Sequence, residues 1–366
     1  MNSKSLITFL IASVVLSSAA CKKNIGMESY QGRSLSFDLA MADTGRDLTD
    51  TDAGTKAFEL KSADGSITLP LEYSVTDGIG EAPQAGEAQT KGEQININSQ
   101  LETIGSFKVK AWNSNHIVFL PTGDSEESTV KFTNGKWTLD GETAPLWKNA
   151  DVKTFLAYSN LPTGAEVTFT GETSQLFSYP ALQPDAKNQK DALLGYYQGI
   201  GDRDGDEVSD GVAKIQFIHP LTAVVFKWGE FVSVDCIKSL SIEGVYKAGT
   251  AEVSYEYSGS NLDPTVDWGT SRSDTTTVSQ SGPDFGPLPV VDKKIGESFI
   301  LIPQDLSVKK VTIKAVVTVS GADRVIMAER DNGEWKEGKT NTYTLGYDAS
   351  AKFNLTQQPY NDAGTL

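Results

Sequence analysis

Hydrophobic and polar residues alternate with a period of two along most of this chain. Leu35, Phe37, Leu39 and Met41 are spaced by polar or small neighbours, and Ile67, Leu69, Leu71, Tyr73 and Val75 repeat the pattern. So do Phe107, Val109 and Ala111, then Ala251, Val253, Tyr255 and Tyr257, then Val311, Ile313, Ala315, Val317 and Val319. Successive strand residues point to opposite faces, so each run predicts a strand with one packed face and one wet face, as in antiparallel sandwiches. Val130-Lys-Phe132 and Trp137-Thr-Leu139 flank Asn134-Gly135, a pair that takes positive φ cheaply and predicts a hairpin. Tyr343-Thr-Leu345 and Phe353-Asn-Leu355 predict two late strands, while 215–226 is a nearly continuous apolar run of the kind a strand buried on both faces shows. Helical signals are weak: residues 185–197 could hold one short helix around Ala186, Leu193 and Leu194. Many short strands with turns between them predict an all-β chain of sandwiches rather than a barrel. An outer-membrane barrel would need longer strands and aromatic girdles.

The amino terminus changes the picture. Residues 1–5 carry one positive charge at Lys4, 6–16 are apolar, and 17–20 are small. Three such zones make a secretory signal, and the apolar run is too short to span a bilayer. Cys21 follows the small residues directly, where a bacterial lipobox has its acylated thiol, so the mature chain is expected to start at a lipidated Cys21 and to sit on the outer membrane by that anchor. The second cysteine, Cys236, is then left without an intramolecular disulfide partner, and it is assigned no role. The formal net charge of −16 suits a solvated surface protein and argues against nucleic acid as a partner. With 366 residues there is room for two domains. A polar stretch over 180–211 suggests a signal peptide over 1–20, an N-terminal sandwich over 21–184 and a C-terminal sandwich over 185–366.

Catalytic chemistry finds little footing. His116 and His219 are the chain's two histidines, one in a polar loop and one beside Pro220 in an apolar run, and no HExxH, GxSxG or phosphate-binding glycine loop is present. No catalytic, metal or cofactor site is therefore assigned. A facing carboxylate pair, as a surface hydrolase would need, is invisible at this level. Asp202-Arg-Asp204-Gly-Asp206-Glu207 has the alternate carboxylates of a calcium loop, but Glu207 stands where an EF-hand needs glycine; a solvated acidic linker reads better. Of the six tryptophans, Trp137 and Trp228 sit on strand patterns and belong in a core, whereas Trp147, Trp268 and Trp335 sit in polar contexts. Exposed and coplanar, such aromatics would serve a glycan-binding surface lipoprotein, which is the alternative function.

Several short patterns, in order, resemble the fimbrillin-like proteins of Bacteroidetes, the subunits of type V pili. They are Gly135-Lys-Trp137-Thr-Leu139, Pro145-Leu-Trp147, Thr154-Phe-Leu-Ala-Tyr158, then Asp185, Gln189, Asp191 and Leu194 in an Asp-x-x-x-Gln-x-Asp-x-Leu-Leu stretch, and Phe217-Ile-His219-Pro-Leu221. Leu301-Ile-Pro303-Gln304 and the run from Trp335 through Gly338 to Tyr343 and Leu345 close the series. The resemblance implies two tandem transthyretin-like β-sandwich domains and a non-enzymatic structural subunit of a cell-surface fimbria serving adhesion. It also implies assembly with other pilin subunits, and a host or bacterial surface as the ligand. In such pilins a protease removes the first strand, and an extended segment of another subunit fills the slot by β-augmentation. Here the excised strand would be Leu35, Phe37, Leu39 and Met41, the cut would follow Arg46, and the donor strand would be the tail around Phe353 and Leu355. Arg46 is the only basic residue between that strand and Lys56. Two outcomes stand open: excision, or a permanent first strand with Arg46 an ordinary loop residue.

Overall fold

The computed structural model describes residues 33–42, 58–77, 98–123, 125–147, 151–200, 211–229, 235–258, 261–282 and 293–346. These are almost entirely β, as the alternation requires. The helical exceptions among the described residues are Asn98–Ile104, whose Leu101 is buried, and a single 3-10 turn at Ala186–Asn188 capped by Asp185. The short helix read over 185–197 is therefore one turn, and Leu193–Ile200 is a strand.

The first sheet closes on itself. Going round it, the strands are Val152–Ser159, Leu193–Ile200, Val212–Ile218, Ser36–Met41, Lys136–Leu139, Ser128–Thr133 and Ser106–Asn113, the last of which pairs again with Val152–Ser159. Val118–Leu120 lies on the same edge of Ser106–Asn113 as Ser128–Thr133 does, further along. With both edges of Val152–Ser159 paired, this ring of strands closes into a barrel. Its interior is filled by Leu35, Phe37, Leu39, Phe107, Val109, Val130, Trp137, Trp147, Phe155, Ile215 and Phe217.

The second sheet has twelve strands, and its spine is Cys236–Ser258, 23 residues long. The first half of that strand pairs with Val311–Val319 and Ser273–Ser281; the second half pairs with Ser174–Tyr179 and Asn261–Asp267. Pairing with Val311–Val319 ends at Glu243, beside a bulge between Glu243 and Val245 where Gly244 has φ +88 and a Cβ would sit 2.8 Å from Lys310 O, whereas pairing with Ser273–Ser281 runs on to Ala248. Phe58–Ser62 and Thr68–Asp77 insert between Ala322–Arg330 and Lys339–Leu345, and Thr222–Trp228 lies parallel to Lys339–Leu345. Phe226 stacks on Tyr343 at 5.5 Å at the centre of this core.

The division expected at residue 185 and the division between sheets fall in different places. Residues 58–77 and 166–179 belong to the second sheet, while 193–200 and 212–218 belong to the barrel. The chain makes its last crossing from barrel to second sheet at His219-Pro220-Leu221. There the continuous apolar run over 215–226 proves to be two strands, one in each sheet; Pro220 has no N–H to offer a ladder. Apolar residues run continuously where a barrel strand faces both cores. Phe155 and Ala157 point into the barrel, whereas Leu156, Leu194, Tyr196 and Ile218 pack with the second core. Tyr196 stacks on Tyr255 of the spine strand at 4.8 Å and 6°.

Two substitutions check this packing. Phe217 is fully buried in the barrel, so Phe217→Ala is expected to lower stability by about 3–5 kcal/mol in urea unfolding. Ile200, 48% exposed at a strand end, should tolerate Ser within about 0.5 kcal/mol. Equal effects at the two positions would contradict the arrangement.

Candidate functional site

Ser36–Met41 is the strand that completes the barrel. On one side it pairs in parallel with Val212–Ile218, from Val212↔Ser36 to Phe217↔Met41. On the other it meets Lys136–Leu139 through a single pair, Phe37↔Trp137. Backbone bonds just beyond the ladder fix its ends: Ser36 N–H donates to Gly211 O at 2.7 Å, Leu35 N–H to Pro145 O at 3.0 Å and Ala42 N–H to Phe217 O at 2.8 Å. Arg33–Ser34 pairs with Leu146–Trp147.

Side chains hold it more firmly than backbone does. Leu35, Phe37 and Leu39 are buried at 5%, 7% and 5% exposure, and Met41 is half-buried against the same core. Phe37 meets Phe107 edge-on at 5.6 Å and Phe155 at 6.3 Å, and Phe107 in turn meets Trp137 at 5.4 Å and Phe217 at 5.9 Å. Burying the three apolar side chains is worth roughly 1.5–3 kcal/mol each. Without the strand, that slot and the facing edge of Val212–Ile218 would be open together. Such a slot would have the shape and edge that an extended segment with apolar residues at alternate positions fits.

Gly211 governs the entry to this slot. Its φ is +65, and a Cβ there would lie 2.8 Å from Ser34 O and 3.0 Å from Arg33 Cβ. Nothing in the sequence marks it, since a lone glycine after an acidic stretch looks like any linker residue. Nor does the sequence show where the Asp-x-x-x-Gln-x-Asp and Phe-x-His patterns meet. Asp191 is fully buried, and its carboxylate lies 2.9–3.0 Å from His219 Nδ1 at the crossover between the sheets. Gln189, also buried, donates to Gln183 O and accepts from Ile300 N–H, and Trp268 Nε1 donates to Pro220 O. The expectation that His219 is a core histidine with a satisfied ring agrees with this.

The other residues singled out divide clearly. His116 is exposed in a turn at φ +62 and contacts Glu172 at 2.8 Å. Cys236 is half-buried and its thiol donates to Thr318 Oγ1. All six tryptophans are buried, including Trp147, Trp268 and Trp335, so the exposed aromatic face that a glycan-binding reading needs is not supplied by them. Their indoles find partners inside: Trp147 Nε1 donates to Asp151 O and Trp335 Nε1 to Tyr343 Oη. Among the described residues no group of three or more His, Cys, Asp or Glu could hold a metal ion. Cys21, Arg46, the 202–210 acidic stretch, Phe353 and Leu355 lie outside the described residues.

Titratable groups near the two cores follow burial. Burial, then the Glu127 carboxylate that accepts from its hydroxyl, holds the Tyr158 phenol well above its ordinary value. Burial pushes Tyr179 up to about 12 and raises Tyr255 and Tyr343 as well. These are structural phenols that stay protonated, not acids or bases for chemistry.

The geometry defines a class of protein: an all-β chain in which the strand Ser36–Met41 closes a barrel that stands beside a larger sheet. The sequence model of the fimbrillin-like family matches residues 85–358, most of the chain, and the chain belongs to that family. Remote structural likenesses include a Bacteroides fragilis NCTC 9343 protein assigned to cell adhesion, 12% identical over 88% of this chain and 95% of that one, with a TM-score of 0.36. A fimbrial assembly protein of Parabacteroides distasonis ATCC 8503 is 9% identical over 68% and 85%, with a TM-score of 0.33. The fimbrial anchor protein Mfa2 of Porphyromonas gingivalis is 10% identical over 60% and 72%, with a TM-score of 0.25. No curated protein sequence matches this chain.

Gly211→Ala tests the entry to the slot. Forcing a Cβ into a left-handed position against Ser34 is expected to cost at least about 1–2 kcal/mol. Hydrogen exchange should speed up at residues 36–41 before it does in the second sheet; unchanged exchange there would show that Gly211 does not secure the strand.

Proposed function

We propose that this chain is a structural subunit of a cell-surface fimbria, anchored as a precursor by a lipid on Cys21 and assembled by strand exchange after a cut at Arg46. The observation that carries the reading is the lopsided hold on Ser36–Met41: a ladder on one side, one pair on the other, and apolar side chains in between. Excising it would open an apolar slot worth roughly 5–9 kcal/mol of burial, flanked by unpaired backbone, which is what an incoming strand satisfies. The next segment is built into the other sheet, Thr68–Asp77 pairing along the whole of Lys339–Leu345. A cut between them would therefore free the first strand and leave the rest anchored. The tail around Phe353 and Leu355 is the donor in this reading, other pilin subunits are the partners, and the product is a polymer rather than a catalyst.

Two experiments test it. The purified precursor treated with an arginine-specific protease should be cut after Arg46 and form oligomers, alone or with co-expressed subunits. Resistance of Arg46 in the folded protein, or an inert cleaved monomer under both conditions, refutes strand exchange. Separately, Cys21→Ser should abolish lipid labelling and detergent-phase partition; a variant that still partitions with lipoproteins refutes the anchor.

A further inference from the structure

The outer face of the first strand carries a signal of another kind. Gln216 stands in register between Tyr196 on one neighbouring strand and Ala40 on the other. Its own neighbours Ile215 and Phe217 fill the barrel, so the Gln216 side chain lies on the outer face, as does Ala40 between the inward Leu39 and Met41. Gln216 Oε1 is buried and has no hydrogen-bond partner among the described residues. A buried amide oxygen without a donor is a standing cost to the fold. Ala40, the residue placed beside it, has no side-chain group to give.

The tail repeats the centre of the first strand. Ser36-Phe37-Asp38-Leu39-Ala40 is matched by Lys352-Phe353-Asn354-Leu355-Thr356. With Phe353 in the place of Phe37, Leu355 takes the place of Leu39, and Thr356 falls at the register of Ala40. Its hydroxyl is a donor where Gln216 lacks one. Ala351 and Gln357 fall at Leu35 and Met41, so the match covers the two central pockets and the position beside Gln216.

The topology also says whose tail it is. Thr222–Trp228 leaves the barrel crossover at residue 221, and Lys339–Leu345 runs parallel to it with Leu345 opposite Trp228. Leu345 therefore lies at the end remote from the crossover, roughly 20 Å along the strand, and residues 339–345 run away from it. Reaching its own barrel would require the chain to double back over that length and beyond. A second molecule needs no such reversal.

We propose that Gln216 is the specificity-determining residue of the slot: it favours a replacing strand with a hydrogen-bond donor at the Ala40 register, and the tail of a second copy of this chain supplies it through Thr356. The proposal rests on the strand-exchange reading. It adds the register, the partner and the reason why the exchange has a preferred direction.

The test has two arms, so that failure of the proposal and failure of strand exchange are told apart. In the intact full-length chain, Ala40→Thr should raise the unfolding midpoint, whereas Ala40→Val, of the same shape without the hydroxyl, should not. Equal behaviour of the two overturns the role of Gln216 whether or not Arg46 is ever cut. In full-length chain nicked after Arg46, a labelled peptide of residues 350–358 should bind, and Thr356→Val in it should weaken binding about twofold to tenfold. Thr356→Ser should bind nearly as well as the parent, and Gln216→Met protein should no longer tell Val from Thr. A peptide that does not bind, or a Val peptide that binds nicked wild-type protein as well as the parent, overturns the proposal. So does a nicked chain that stays monomeric with its own tail in the slot.

Discussion

The parallel ladder between Ser36–Met41 and Val212–Phe217 is the contact on which the barrel depends. A closed sheet has no edge to solvate; the same sheet lacking one stave has two, and between them an apolar slot. The contact joins residues about as far apart as the barrel's chain allows: Ser36 bonds Gly211 across 175 positions. The stave is therefore the first barrel strand to be made and cannot be seated until Val212–Ile218 exists. Loop-closure entropy over such a separation is modest, but it must be met before any of the side-chain burial is recovered. A strand that must be seated late is also one the remaining barrel strands can be arranged without.

The second sheet supplies the rigidity that the stave does not. Leu156, Leu194, Tyr196 and Ile218 reach out of the barrel wall into the second core, so three barrel strands are fixed from behind. The crossover is clamped at successive residues. His219 is held by Asp191, Pro220 O accepts from Trp268, Leu221 O accepts from Gly338 N–H, and Thr222 Oγ1 donates to Lys339 O. Val212–Ile218 ends in this clamp. The edge that would be bared by loss of the stave is thus attached directly to this clamp. A preorganised edge costs a partner less ordering than a frayed one would.

How much of this was legible in the sequence depends on what kind of contact was involved. The strands at 35–41, 67–75, 107–111 and 311–319 follow from period two, since a half-buried strand leaves no other pattern. Barrel closure was not legible, because pairing Val152–Ser159 to both Ser106–Asn113 and Leu193–Ile200 is a property of edges, and edges leave no mark on composition. The run over 215–226 misled for a related reason: two strands in different sheets, joined through Pro220, have the same hydropathy as one. Trp147, Trp268 and Trp335 looked exposed from their polar neighbours, yet each sits at a strand end where its ring turns inward and its indole N–H meets a carbonyl or a phenol. In the candidate site, the apolar half was readable as Leu35, Phe37, Leu39 and Met41. The polar half, Gly211 and Gln216, becomes visible only once the neighbouring strand is known.

The two halves of the slot do different jobs, and this follows from the physics of registers. Apolar pockets at alternate positions forbid a slip by one residue, because it would turn Phe37 and Leu39, or whatever replaces them, out to the other face. They discriminate poorly against a slip by two, since one aliphatic or aromatic side chain fills a pocket nearly as well as another of similar volume. A buried oxygen on the outer face breaks that degeneracy, because a donor two residues away is out of reach. Burial of the apolar residues supplies most of the affinity, and a single unsatisfied acceptor can decide which of the allowed registers wins. An apolar slot alone would accept any alternating strand that reached it; the acceptor at Gln216 makes one alignment better than its neighbours.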